Sequence, residues 1–290
     1  MNAVITLRDL LKMIPDVAAQ HARTTPTYAL LEKAAAQAVQ NSRFGQTEGA
    51  RENLGGFGEI ELPYYKMGAV DSLDLFGLDE LIIFSFYWTN RHRYRRAADI
   101  GANLGLHSIL MSRCGWAVNS FEPDPTHAHL MQRNLQLNHA TSVELVPAAV
   151  SDRSGQMEFV RVLGNTTSSH LAGAKPNPYG ELERFPVQVQ AIGTIMPSVD
   201  FVKMDAEGQE KTIILGTTAG HWARTDMIVE IGSEENADAV YTHLQKLGIN
   251  SFAQKLGWAK VNSCSDMPAN YKDGSLYISA QPTMQWNRNE

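Results

Sequence analysis

The segment Asp99-Ile100-Gly101-Ala102-Asn103-Leu104-Gly105 stands where an apolar run of strand length gives way to one with helical spacing. Glycines at such a turn let the backbone approach a ligand, and the start of the following helix offers partial positive charge. About twenty residues on, Phe121-Glu122-Pro123-Asp124 closes the next apolar run, and an acid at that distance suits both hydroxyls of a ribose. Gly101, Asn103 and Gly105, taken with Glu122 and Pro123, therefore predict a nucleoside site. A dinucleotide needs a middle glycine for its pyrophosphate, and Asn103 holds that place, which disfavours NAD. S-adenosylmethionine has no phosphate and fits better. Asp99 suits its cationic amine, and free backbone N–H groups around Gly101 suit its carboxylate. Farther on, Ser151 and Asp152 follow a third apolar run and are predicted to reach the adenine amino group. The plainer readings are a helix cap for Asp99, a solvated strand end for Glu122 and an Asx turn for Asp152.

A second set of acids falls at later strand ends. Asp205 and Glu207 directly follow the run Phe201–Met204, and Glu230 closes the next one. Methyl transfer to an alcohol requires an aligned acceptor oxygen and removal of its proton. Asp205 is the expected general base; alternatively, Asp205 and Glu230 hold a divalent cation such as magnesium that acidifies the hydroxyl, with Glu207 nearby. The competing reading makes Glu207 a helix-end carboxylate and Lys203 a plain partner for its acidic neighbours. The polar loop Gly164-Asn165-Thr166-Thr167-Ser168-Ser169-His170 offers hydroxyls and an imidazole to a sugar or polyol, with His170 as a further base, though a loop histidine is more often merely solvated. His107 reads as a packed or capped residue.

Asp99 to Gly105, Phe121 to Asp124, and Val-Lys-Met-Asp-Ala-Glu-Gly-Gln-Glu from Val202 to Glu210 together resemble the FkbM family of class I methyltransferases. The likeness covers roughly Ala97 to Ala280 and is most specific in the Lys-x-Asp-x-Glu-Gly-x-Glu stretch. It implies a seven-stranded sheet with a reversed last hairpin, and methyl transfer from S-adenosylmethionine to oxygen. Members act on macrolides, other secondary metabolites and bacterial glycans, so the acceptor stays open. Nothing carries over to the first ninety or so residues.

These residues need a scaffold that brings several strand ends together. From Arg96 onward, strand-length runs near Ala97–Ile100, Ala117–Glu122, Val143–Pro147, Phe201–Met204, Met227–Ile231, Ser251–Ala253 and Ser275–Ser279 alternate with helical patterns near Leu104–Arg113, Thr126–Asn138, Glu210–Gly216 and Asn236–Leu247. That alternation predicts an α/β, Rossmann-like fold: a mostly parallel seven-stranded sheet with helices on both faces. Met157–Val162 and Pro186–Val189 are extra β-like runs. Leu7 to Val39 has helical periodicity punctuated by Pro15 and Pro26, and Asn41 to Gly58 shows no strong element. The division expected is residues 1–90 as a helical extension (lid, oligomer contact or core cover) and 91–290 as the cofactor-binding domain.

Composition narrows the partners. With 290 residues, 43% of them hydrophobic, the chain can bury a substantial core unaided. A net charge of -6 argues against an electrostatic grip on nucleic acid or an anionic membrane. The Asn/Asp-Pro-Pro-aromatic loop of base-amine methylation is replaced by Asp205-Ala206-Glu207-Gly208, so a nucleic-acid acceptor is disfavoured, a ribose hydroxyl least so. Cys114 and Cys264 form no bridge framework. The N-terminus lacks the apolar centre of a signal peptide, and the longest apolar stretch, Leu81 to Trp88, is far short of the ~20 residues of a membrane helix. A soluble, cytoplasmic protein is expected, acting on a small molecule or glycan in bacterial secondary metabolism or glycan modification, with homo-oligomers allowed. The basic run Arg91 to Arg96 reads as solvated surface, and Phe84, Phe86, Tyr87 and Trp88 read as core of a helix. A catalytically silent cofactor-binding partner is the competing class.

Overall fold

The computed structural model describes residues 5–47, 49–68, 70–174, 180–284 and 286. Residues 1–4 and 287–290, at the outer ends of the two expected regions, lie outside the described residues. In chain order the first elements are α1 (Leu7–Met13), α2 (Pro26–Gln40), β1 (Arg51–Asn53), β2 (Glu59–Glu61) and α3 (Leu78–Thr89). The alternating part follows as β3 (Arg96–Ile100), α4 (Leu106–Arg113), β4 (Ala117–Phe121), α5 (Pro125–Leu137) and β5 (Val143–Val146). An inserted stretch holds β6 (Ala148–Ser151), β7 (Gly155–Val162), β8 (His170–Leu171), β9 (Leu182–Ala191) and α6 (Ile192–Ile195). The chain then makes β10 (Phe201–Met204), α7 (Glu210–Leu215), β11 (Asp226–Glu230), α8 (Glu234–Leu247), β12 (Asn250–Ala253), β13 (Ala259–Lys260) and β14 (Ser275–Ser279).

The main sheet runs β13-β12-β14-β11-β10-β3-β4-β5. β3 pairs in parallel with β4 and β10, β4 with β5, and β10 with β11. β14 runs antiparallel between β11 and β12, the reversed hairpin that the resemblance implied. The expected α/β Rossmann-like class is correct, but the sheet has eight strands rather than seven. The extra one is β13, two residues that pair antiparallel with β12 and are too short to leave a periodic signal. From β3 the chain first builds outward through β4 and β5, then crosses back to β10 on the other side. That reversal opens a crevice at the carboxyl ends of β3 and β10, where ligands bind in sheets of this kind.

Both faces of the sheet are covered, and successive strand residues divide between two cores. Ala97, Val118, Phe201, Ile228 and Tyr277 face a core shared with α1 to α5, while Ala98, Val202, Met227, Val229 and Ile278 face one shared with α6, α7 and α8. Helix α3 is apolar nearly all round and buries Leu81 to Tyr87, as a helix clamped between two layers must. Each fully buried large side chain in it contributes roughly 1.5–3 kcal/mol. Helix α1 opens with a reciprocal Thr6/Asp9 capping box, and Thr25 caps α2 ahead of Pro26. Among the described residues no helix is long and apolar enough to cross a membrane.

Two regions differ from the sequence reading. Within Asn41–Gly58 and just beyond it, β1 and β2 form a short antiparallel ladder of mostly charged residues in which Ile60 is the one apolar side chain, so no hydrophobic period shows. The extra β-like runs lengthen into β7 and β9, which join β6 and β8 in a separate four-stranded sheet with a small core of Ala149, Phe159, Leu171, Val187 and Val189.

Candidate active site

The loop after β3 is shaped by close packing. Gly101 has φ of 75°. A Cβ there would stand 1.7 Å from the carbonyl oxygen of Asp205, so glycine is required where the β3 and β10 loops cross. The backbone N–H groups of Gly101 and Ala102 both donate to the Phe121 carbonyl at 3.0 Å, and that of Asn103 donates to Glu122 Oε2 at 2.8 Å. The loop N–H groups expected to be free for a carboxylate are thus already spent on tying β3 to β4. Gly105 has φ of 80° and starts α4, and a Cβ on it would press within 2.7 Å of the Met131 side chain on α5. Its place is in helix packing, away from the cavity wall.

Glu122 is buried at the end of β4 and lines the cavity beside Pro123. Its Oε1 accepts the Asp124 N–H at 2.9 Å. Burial pushes its carboxyl up to about 7, against the pull of the two N–H donors. Asn103, also on the wall, has φ of 50°, and its Oδ1 is buried without a hydrogen-bond partner. The cavity measures about 320 Å³. Ala149, Val150 and Phe159 give its lining an apolar part, and Asp205, Ala206 and Glu207 belong to the same lining. Thr166, Ser169 and His170 form part of the lining together with Val70, Asp74 and Leu75 from the N-terminal region. A buried acid, an orphaned amide oxygen and apolar lining residues fit a nucleoside with polar substituents.

Other predicted residues lie off the wall. Ser151 is buried and donates to Asp152 at 3.2 Å and to Gln209 at 3.4 Å, while Asp152 is exposed; Ala149 and Val150, just before it on β6, face the cavity instead. Asp99 is fully buried behind the loop. Its Oδ2 accepts the Ser108 hydroxyl at 2.5 Å, and its Oδ1 has no hydrogen-bond donor.

The second strand-end set gathers around an ammonium. Asp205 lines the cavity with its side chain 43% exposed, and Lys203 Nζ lies 3.8 Å from its Oδ2 and 4.0 Å from Asp99 Oδ1. Burial pulls the Lys203 ammonium down, but Asp205, Asp99, Glu80 and Glu230 outweigh it and raise the group overall. Burial, with Asp205 and Glu80, holds the Glu230 carboxyl well above its ordinary range despite Lys203. Glu207 has φ of 50° in the turn after β10. That turn is fastened by Glu210, whose buried carboxylate accepts the N–H groups of Ala206 at 2.8 Å and Gly208 at 2.9 Å. His170 is buried, and its Nδ1 pairs with the Ser168 carbonyl at 2.8 Å.

As ligands for a divalent cation, Asp205 and Glu230 fit poorly. Lys203 already brings positive charge to both, and among the described residues no group of three or more His, Cys, Asp or Glu side chains is arranged for a metal. A larger cleft of about 1050 Å³, lined by Arg8, Lys12, Trp88 and Arg91 to Arg93, lies at the opposite end of the sheet, where β3 begins. Arg91 there stacks on Trp88, and Arg93 pairs with Asp226 at 3.0 Å, so part of the basic run has a structural use.

A family model described as the methyltransferase FkbM domain matches residues 99–257. The chain belongs to the FkbM methyltransferase family. The resemblance carried by Asp99–Gly105 and Val202–Glu210 is borne out. This FkbM methyltransferase is similar to Methyltransferase 1 of Beauveria bassiana (strain ARSEF 2860), 23% identical over 185 residues covering 56% of this chain and 74% of that protein. It is also similar to methyltransferase sdnD of Sordaria araneosa, 27% identical over 159 residues covering 43% of this chain and 61% of the relative. Among solved structures it matches precorrin-6y C5,15-methyltransferase of Geobacter metallireducens GS-15 at 15% identity and a TM-score of 0.35, over 66% of this chain and 82% of that one.

Several residues of the FkbM methyltransferase site escaped the sequence reading. Glu210 was visible as the last acid of the Lys-x-Asp-x-Glu-Gly-x-Glu run, but spacing does not reveal that it folds back on its own turn. Lys203 was visible only as a possible ion-pair partner. Val70, Asp74 and Leu75 carried no signal, because their approach depends on a long-range contact: the Thr166 N–H donates to the Met67 carbonyl at 2.9 Å. His127 likewise reaches Thr166 Oγ1 at 2.9 Å from another element.

Proposed function

We propose that this FkbM-family chain transfers a methyl group from S-adenosylmethionine to a hydroxyl oxygen of a small molecule or glycan: a sugar, a polyol or a secondary metabolite. The observation that carries this reading is the shared cavity, in which the partly exposed Asp205 carboxylate and the buried Glu122 carboxylate line one volume. When bound, the cofactor supplies an electrophilic methyl on a sulfonium. Glu122 is suited to accept the ribose hydroxyls, and Ala149, Val150 and Phe159 offer apolar contact to the adenine. Asp205 takes the acceptor hydroxyl proton as the oxygen attacks. Lys203 restrains that carboxylate from behind, and Glu210 keeps the turn that carries it in place. His170 lines the same cavity and is a second candidate base.

The lining also favours an acceptor without strong negative charge. Asp74, Asp124, Asp205 and Glu207 stand on the wall, and among the described lining residues there is no lysine or arginine to meet a phosphate. The test is incubation with S-adenosylmethionine carrying a ¹³C-labelled methyl and a panel of neutral sugars and polyols, followed by NMR of the product. A new O-methyl resonance supports the reading. Label appearing only on nitrogen or sulfur in a broader panel overturns it.

A further inference from the structure

The chain has two openings of opposite charge. The candidate active site has several carboxylates and, among its described lining residues, no lysine or arginine. The cleft of about 1050 Å³ where β3 begins is the reverse: Arg8, Lys12, Arg91 and Arg93 line it, and Asp9 is the one acid among the described lining residues. Asp9 is already engaged, its Oδ2 accepting the Thr6 N–H at 3.1 Å and the Thr6 hydroxyl at 2.7 Å. A chain of net charge -6 thus gathers four cations around one opening. The two sites share no lining residue, and every described lining residue of the cleft precedes the matched segment 99–257.

Three stretches far apart in the chain build the cleft: α1, the turn at residues 53–57, and the end of α3 with the loop after it. Trp88 ties the last two together. The Phe57 ring meets it edge-on at 5.3 Å, and Gly56 comes so close that a Cβ there would stand 2.1 Å from the indole. The Arg91 guanidinium stacks on the same ring at 4.7 Å and donates to the Trp88 carbonyl at 2.7 Å, so it is held in place before any ligand arrives. On α1, Arg8 packs its stem beside Gly55. Arg8 and Lys12, four residues apart, share one face of that helix, where like charges are unfavourable until an anion answers them. Arg93 is met by the buried Asp226 at 3.0 Å; on the wall itself, four cations face one carboxylate.

Cations from α1 and from the loop after α3 call for an anion charged at more than one centre, since a single carboxylate would answer only one of them. A guanidinium binds phosphate through two parallel N–H bonds, which gives direction as well as strength. We propose that the cleft is a second binding site, separate from the methyl-transfer cavity, for a small ligand that carries a diphosphate group, with Arg8, Lys12 and Arg91 as its binding residues. The volume leaves room for an organic substituent on the diphosphate.

The test is calorimetric titration of the full chain with inorganic pyrophosphate, orthophosphate and citrate, without divalent cations. Wild type should bind pyrophosphate at one saturable site, about tenfold or more tighter than orthophosphate or citrate. The double variant Arg8→Ala, Lys12→Ala should lose about tenfold or more in pyrophosphate affinity. Arg95→Ala, Arg96→Ala, which removes the same charge from the adjoining run outside the cleft, should stay within about twofold of wild type. Arg91→Lys keeps the charge without the fork and should weaken binding severalfold, which keeps the site testable where the α1 variant does not fold. S-adenosylhomocysteine affinity should be the same in all of these chains, because the two sites share no lining residue. No saturable binding by wild type, citrate bound as tightly as pyrophosphate, or equal losses in the two double variants would overturn the diphosphate site and leave the methyl-transfer reading standing.

Discussion

At the residue scale, Glu122 sets a pH dependence whose sign follows from burial. Its folded-state carboxyl lies near 7, above the ordinary 4.5, so it releases its proton later in the folded chain than in the unfolded one. The stability tied to it is therefore present below about pH 4.5 and is lost as pH rises through about 7. Relative to Glu122→Gln, the unliganded wild type should lose up to roughly 3 kcal/mol between about pH 4.5 and 8, measured by denaturant unfolding at each pH. Cofactor affinity runs the other way. A ribose needs the ionised acid, so wild-type affinity should strengthen as pH rises through about 7 and that of Glu122→Gln should stay flat. Asp205 is separable from binding: Asp205→Asn should cut turnover by about 10²–10⁴ while S-adenosylhomocysteine affinity changes little, and an active variant would remove Asp205 from the mechanism. Gly101, Glu122 and Asp205 were legible in the sequence because each follows a strand directly. Asp99 and Gly105 flank Gly101 in the chain, and Ser151 and Asp152 follow Ala149 and Val150, yet all four turn away from the cavity those neighbours line. A loop's backbone path decides which neighbour faces inward, and spacing does not carry that information.

At the element scale, two turns meet at the crevice and depend on each other. The β3 loop needs Gly101 because the Asp205 carbonyl fills the space of a side chain. Gly101→Ala should push the two loops apart, lower the melting temperature by several degrees and weaken cofactor binding at the same time. Loss of binding with an unchanged melting temperature would show that the crossing does not matter to the fold. The β10 turn depends on Glu210, and Glu210→Ala leaves the Ala206 and Gly208 N–H groups without their buried acceptor. A cost of about 2–3 kcal/mol is expected, read from chemical denaturation. The strands of the main sheet could be placed from sequence because both faces are covered and their runs are nearly all apolar. Strands β1, β2 and β13 could not. They are two or three residues long, and of their residues only Ile60 and Glu61 are buried, too few to set a period.

At the scale of the whole molecule, the first ninety residues and the sheet share one interior. Leu7, Leu10, Tyr28, Phe76 and Phe86 belong to the same continuous core as Trp116, Val118 and Phe201. Gln254 and Trp258, near the far end of the chain, bond back to Asp79 at 2.6 Å and to His21 at 2.9 Å. Residues 91–290 expressed alone should therefore expose a large apolar face and fail to give a cooperative unfolding transition. A cooperative, soluble fragment would show instead that the sheet closes its core without α1 to α3. Helical periodicity made α1 and α2 visible in the sequence, but not the surface they cover, since that surface is assembled from strands spread along the rest of the chain. The most direct test of the whole account is calorimetric titration of the intact chain with S-adenosylhomocysteine, with NAD as the control ligand. Saturable binding of S-adenosylhomocysteine and none of NAD is the predicted result; binding of NAD, or of neither, would contradict the account.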